Sequence, residues 1–174
     1  MKYFAMISLI NFLLVVNASA SPVGVSCDLA DTSKQRSLYD LLVVYYDLKD
    51  ALVEGDASIA SARAAEFLNA ANNIDTKSLS SDHLKTFHSL APKLTFDARH
   101  ISEVKSIEHQ REHFASLSTN MYHLVKSMKL SAEPVYEMYC PMKKAYWLSN
   151  DAEIRNPYYG KQMLSCGKVA NTVR

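Results

Sequence analysis

The sequence predicts an all-α protein: an up-and-down bundle of about four helices, with an irregular but ordered C-terminal segment packed against it. Three observations lead there. Apolar residues recur at helical spacing from Thr32 to about Leu130. Glycine and proline number only four and five, too few for the tight turns of an all-β sandwich. After Leu130 the periodicity stops, yet the chain stays dense in aromatics and sulfur and holds the only tryptophan, Trp147. Disordered tails are poor in aromatics, so this tail is expected to be ordered.

The first twenty residues read as a cleaved signal peptide. Lys2 gives a positive start, Phe4 to Val16 is a nearly uninterrupted apolar run, and Ala18-Ser19-Ala20 supplies small residues before a cut at Ser21. The run is too short to be an ordinary membrane span, and no later segment is apolar enough to make one. Gly24-Val25-Ser26-Cys27 is a poor lipobox because the usual leucine is missing, which argues against lipid anchoring through Cys27. The implied compartment is the periplasm. The expected layout is a leader over 1–20, a flexible segment over 21–31, a helical bundle over 32–130, and a tail of the same domain over 131–174.

Within the bundle, Leu38, Leu41, Leu42, Tyr45, Leu48 and Leu52 form the stripe of a first helix running from Thr32 to Val53. Gly55 can end it in a left-handed turn, and Asp56 can cap the next helix. That helix, reaching about Asn72, carries Ala60, Ala64, Phe67, Leu68 and Ala71 on one side, and small residues allow close helix approach. Ser81 opens a third helix, which Pro92 is expected to kink or end before helix resumes through Leu94, Ala98, Ile101 and Val104. Ser106 caps a last helix to about Met128, with Phe114, Leu117, Met121, Leu124, Val125 and Met128 inward.

Charge excludes one class of partner. Without Lys2 the acidic and basic residues balance, and no basic run with interleaved aromatics appears, so nucleic-acid binding is disfavoured. Catalysis is not indicated either. There is no G-x-S-x-G, no glycine-rich phosphate loop, no C-x-x-C and no haem-attachment motif. His109-Gln110-Arg111-Glu112-His113 resembles a zincin helix, but its glutamate precedes the second histidine and faces another way.

Sulfur carries the strongest chemical signal. Cys140-Pro141-Met142 and Met163-Leu164-Ser165-Cys166 each place a thiol near a thioether. Pro157 and Gly160 lie between them and can fold one pair back on the other. Such soft donors select copper(I) or silver(I) over calcium, magnesium or manganese. The same residues allow plainer roles. Met142 and Met163 can fill core gaps. Cys140 and Cys166 can form a disulfide in an oxidising compartment, closing a loop of about 25 residues worth roughly 3 kcal/mol in the chain-entropy picture. The spacing leaves both readings open.

Histidines add borderline donors. His109 and His113 are four apart on the last helix and can reach one ion. His113 sits at the edge of the apolar stripe, His109 further out, and His123 points nearly away from it. His100 lies just before the Ser106 cap. Zinc held by His109, His113 and two cysteines is also allowed, although the cysteine spacing matches no zinc-finger pattern.

A set of short blocks resembles one family. These are Ala98-Arg99-His100-Ile101, the run His109 to Ser118, Val135-Tyr136, Tyr139-Cys140-Pro141-Met142, Trp147-Leu148-Ser149, Ile154 to Gly160, Met163 and Cys166-Gly167, preceded by Tyr46 to Asp56. Together they cover roughly Leu38 to Val169. They resemble an uncharacterised exported bacterial domain, which also occurs fused to the C-terminus of periplasmic adaptor (membrane fusion) subunits of copper and silver efflux pumps. The resemblance implies metal handling near an efflux system, with His100, His113, Cys140, Met142, Met163 and Cys166 at matching positions and His109 beside them. This chain departs from the family in one place: only Lys143-Lys144-Ala145-Tyr146 separates the C-P-M block from W-L-S, where members carry a longer Gly- and Asn-containing stretch. Two lysines beside a cation site weaken its pull unless they point outward.

The expected function is therefore periplasmic soft-metal binding, most directly of copper(I), for sequestration or delivery to an efflux component. The alternative is a structural or interaction module of the cell envelope stapled by Cys140–Cys166.

Overall fold

The computed structural model describes residues 29–174, with side chains from Leu38 onward apart from Ser78. The leader expected over 1–20, the segment before Leu29 and Cys27 lie outside the described residues. The elements are α1 (Leu29–Glu54), α2 (Ala57–Asn72), α3 (Ser81–Glu103), α4 (Ile107–Met128), β1 (Val135–Cys140), β2 (Ala145–Ser149) and β3 (Lys168–Val173). Single 3₁₀ turns occur at Thr76–Ser78 and Gly160–Gln162. No described helix is long and apolar enough to cross a membrane.

Local chemistry sets the helix ends. The amides of Gly55 and Asp56 both donate to the Ala51 carbonyl, and Gly55 takes the left-handed φ of +79° that closes α1. The Asp56 carboxylate then accepts from the amides of Ser58 and Ile59 at 2.9 and 3.0 Å, starting α2. Ser80 and Ser106 cap α3 and α4 in the same manner. The inward stripe of α2 is Ala60, Ala64, Phe67 and Ala71, so three of its four buried residues are alanines and its neighbours come close.

Two expectations need correction. α3 runs unbroken through Pro92. Proline removes one helix donor, and here both Pro92 and His88, whose carbonyl loses that donor, lie on the exposed side of the helix. The fold is also not all-α. The tail expected to be irregular forms an antiparallel sheet of order β2-β1-β3, so the molecule is mainly helical with some sheet. Cys140 pairs with Ala145 across the first hairpin, and Lys144 closes its four-residue loop at a left-handed φ of +56°. A bulge between Glu137 and Met138 shifts the register against β3.

The sheet completes the core. Consecutive helices pack closely on one another, α1 and α4 meet mainly through long side chains, and β2 packs on α4. The buried Tyr45 hydroxyl hydrogen-bonds Ser118 Oγ at 2.7 Å and accepts the Leu148 amide at 3.0 Å, joining α1, α4 and β2 at one atom. The Tyr45 ring stacks on Phe114, and the buried Trp147 meets Tyr158 edge-on. The other end of α4 is held by Gln110, whose amide nitrogen lies 2.9–3.2 Å from the Ala57, Ile101 and Val104 carbonyls and Ser61 Oγ.

Candidate functional site

The tail folds back as its proline and glycine allow, and Asn156 organises the turn. This side chain is fully buried. Its amide nitrogen donates to the Cys166 carbonyl at 2.7 Å and to Cys140 Sγ at 3.2 Å. Its side-chain oxygen accepts the Tyr158 amide at 2.8 Å, and its own amide donates to the Leu164 carbonyl. Gly160 then passes under α1 with φ at +54°, where a Cβ would lie 2.6 Å from the Val53 carbonyl oxygen and 2.7 Å from Arg111 Nη2. Only glycine fits that approach. Arg111 donates to the Leu52 carbonyl at 2.9 Å, and burial lowers the pKa of its guanidinium.

The two cysteines are brought together. Cys140, at the end of β1, is fully buried and receives the Lys143 amide at 3.4 Å as well as Asn156. Cys166 is half-buried against the core. Both are free thiols. Burial first, and then the adjacent Cys140 sulfur, push the Cys166 thiol above the ordinary thiol range. Met163 is half-buried in the same turn, where its carbonyl accepts the Cys166 amide at 3.0 Å. Met142 instead stands 61 % exposed on the hairpin loop.

The histidines form a group of their own between α3 and α4. His100 and His113 lie flat on each other with centroids 4.7 Å apart, and His109 stands edge-on to His113 at 5.0 Å. His113 Nδ1 bonds the buried Asp97 at 3.2 Å, and His109 Nδ1 bonds Glu112 at 3.1 Å. His123 is exposed. Among the described residues no hydrogen bond or ring contact joins these imidazoles to Cys140 or Cys166. No group of three or more His, Cys, Asp or Glu side chains is arranged there to hold a metal ion.

Sequence reasoning singled out neither Asn156 nor Asp97. Asp97 had a signal: it interrupts the apolar stripe of Leu90, Leu94, Ala98 and Ile101, and a buried carboxylate needs a partner. Asn156 had a weaker one, standing before Pro157 between the two sulfur pairs, where a side-chain amide can organise a turn.

Comparison with curated proteins and with solved structures finds no match. A family model described as "Protein of unknown function (DUF3347)" matches residues 41–133, more than half of the chain, and the chain belongs to that family.

Proposed function

We propose that this chain is a periplasmic binding protein for a soft metal ion, carrying copper(I) as cargo between the sulfurs of Cys140 and Cys166. The observation that supports the reading is the meeting of these two thiols at a turn where the Asn156 amide donates to Cys140 Sγ and to the Cys166 carbonyl. Copper(I) accepts few ligands and favours thiolate and thioether, so two cysteines suffice and Met163, in the same turn as Cys166, is the candidate for a third. Silver(I) fits by the same chemistry. A structural zinc site asks for four nitrogen or sulfur ligands, and among the described residues Cys140 and Cys166 form no set of three or more with His, Asp or Glu. Met142, His100, His109 and His113 are thus outer groups in this proposal. The apolar leader supports export, and the resemblance to adaptor-fused domains supports delivery to a copper or silver efflux component. The role is binding rather than catalysis.

The test is anaerobic titration of the reduced protein with copper(I) against a chromogenic chelator. Wild type should withdraw copper from the chelator, and Cys166→Ser, at the less buried position, should not. Equal competition by wild type and Cys166→Ser would end the proposal. The second reading, a disulfide staple, rests on the same juxtaposition. Mass spectrometry of protein taken from copper-loaded cells separates the two, since a bridge that persists there is incompatible with copper cargo.

A further inference from the structure

We propose that the α3–α4 face carries a second and separate site, at which His109 and His113 bind a divalent transition-metal ion such as zinc or nickel through their Nε2 atoms. The proposal does not depend on the thiols.

A metal lies in the plane of each imidazole that binds it. The planes of His109 and His113 are 81° apart with centroids separated by 5.0 Å, so they intersect close to both rings. Their spacing of four residues puts both rings on one side of α4. The planes of His100 and His113 differ by only 8° and are stacked, so they share no nearby line on which an ion could sit. His100 is therefore a positioning residue. It lies against one face of the His113 ring and is itself packed on Phe96 at 4.3 Å. This geometry agrees with the lack of a three-ligand set among the described residues.

Hydrogen bonds select the nitrogen left free to bind an ion. His113 Nδ1 is 3.2 Å from Asp97 Oδ1, and His109 Nδ1 is 3.1 Å from Glu112 Oε2. A ring that donates from Nδ1 to a carboxylate keeps its lone pair on Nε2, and metal-binding histidines are oriented by that pairing. Neither Nε2 has a hydrogen-bond partner among the described residues. Asp97 is the more telling of the two carboxylates, because it is only 4 % exposed. A buried carboxylate is costly unless paired, and this one is committed to holding an imidazole at the surface. His109, about half exposed, leaves the site open to solvent. Two protein ligands leave further positions for water or for a donor from another molecule.

Cobalt(II) is a suitable probe, because sulfur ligation adds an intense charge-transfer absorption that nitrogen and oxygen ligands lack. The purified protein should bind one cobalt ion without that absorption, and Cys166→Ser should bind it equally. Saturable binding should vanish in His109→Ala, a substitution at an exposed position that leaves the helix packing intact. Asp97→Asn should bind roughly 10–100-fold more weakly. The proposal is overturned if cobalt does not bind saturably, if it brings the sulfur band, if Cys166→Ser loses it, or if His109→Ala or Asp97→Asn retains wild-type affinity.

Discussion

The side chain of Asn156 donates to Cys140 Sγ at 3.2 Å, so a residue from the returning tail holds the thiol that ends β1. The same nitrogen bonds the Cys166 carbonyl, and the side-chain oxygen accepts the Tyr158 amide. Asn156→Ala removes all three bonds from a fully buried position and strands their partners. It should cost about 3 kcal/mol in urea denaturation. It should also weaken copper(I) competition, because the side chain that ties the Cys140 sulfur to the Cys166 backbone is gone.

Alkaline pH should loosen the protein through Cys166. Its thiol sits above the ordinary value of 9.0 because the folded state favours the protonated form. Where the unfolded chain releases this proton first, the folded state binds more protons and stability falls as pH rises. The contribution is fully present below about pH 9 and disappears as pH climbs through the raised value. Urea midpoints against pH for wild type and Cys166→Ser isolate it, since the buried tyrosines titrate in both. Parallel curves would show that Cys166 makes no such contribution.

Tyr45→Phe tests the junction of helices and sheet. It keeps the ring stacked on Phe114 but leaves the Leu148 amide without an acceptor and removes the bond from Tyr45 to Ser118. The expected loss is about 1–3 kcal/mol. Ser118→Ala in the Tyr45→Phe background should cost less than it does in wild type, because the two hydroxyls share one bond.

Gly160→Ala should be among the most damaging of single-methyl additions. The new Cβ meets the Val53 carbonyl oxygen at 2.6 Å, in a left-handed conformation that L-residues resist. Strain and overpacking together amount to roughly 2–5 kcal/mol, read as a lower thermal midpoint.

Lys144→Gly should act in the opposite direction. Lys144 holds φ at +56° in an exposed loop, which glycine adopts without steric cost. A gain of about 1 kcal/mol is expected. The variant also removes one positive charge beside Cys140, so copper(I) binding should not weaken.

The helices were legible because their signals are local and repeated. The Gly55-Asp56 pair, the Ser106 cap and the inward residues of α4 all stand where spacing put them. The sheet was not, because its strands are only five or six residues long and do not alternate cleanly: β1 buries Val135, Met138 and Cys140, and β3 buries almost nothing. Pro92 did not end the helix because little is lost when the vacated carbonyl is on its wet side. At the site, the return of Cys166 toward Cys140 could be anticipated from Pro157 and Gly160. The separation of the imidazoles from the sulfurs could not, since it depends on which neighbour each face of α4 meets.

The matched family region ends at residue 133, before β1 begins. Tyr45 and Phe114 fall inside it, but their covering groups, Leu148 and Tyr158, are made later. Synthesis therefore delivers four helices with one seam still open, and the final stretch of chain must arrive to seal it. A ribosome that stops at residue 133 would release a sticky fragment, a ready target for chaperones and proteases. The last stretch of chain, which carries Cys140 and Cys166, thus supplies the lid over a core the helices alone leave uncovered.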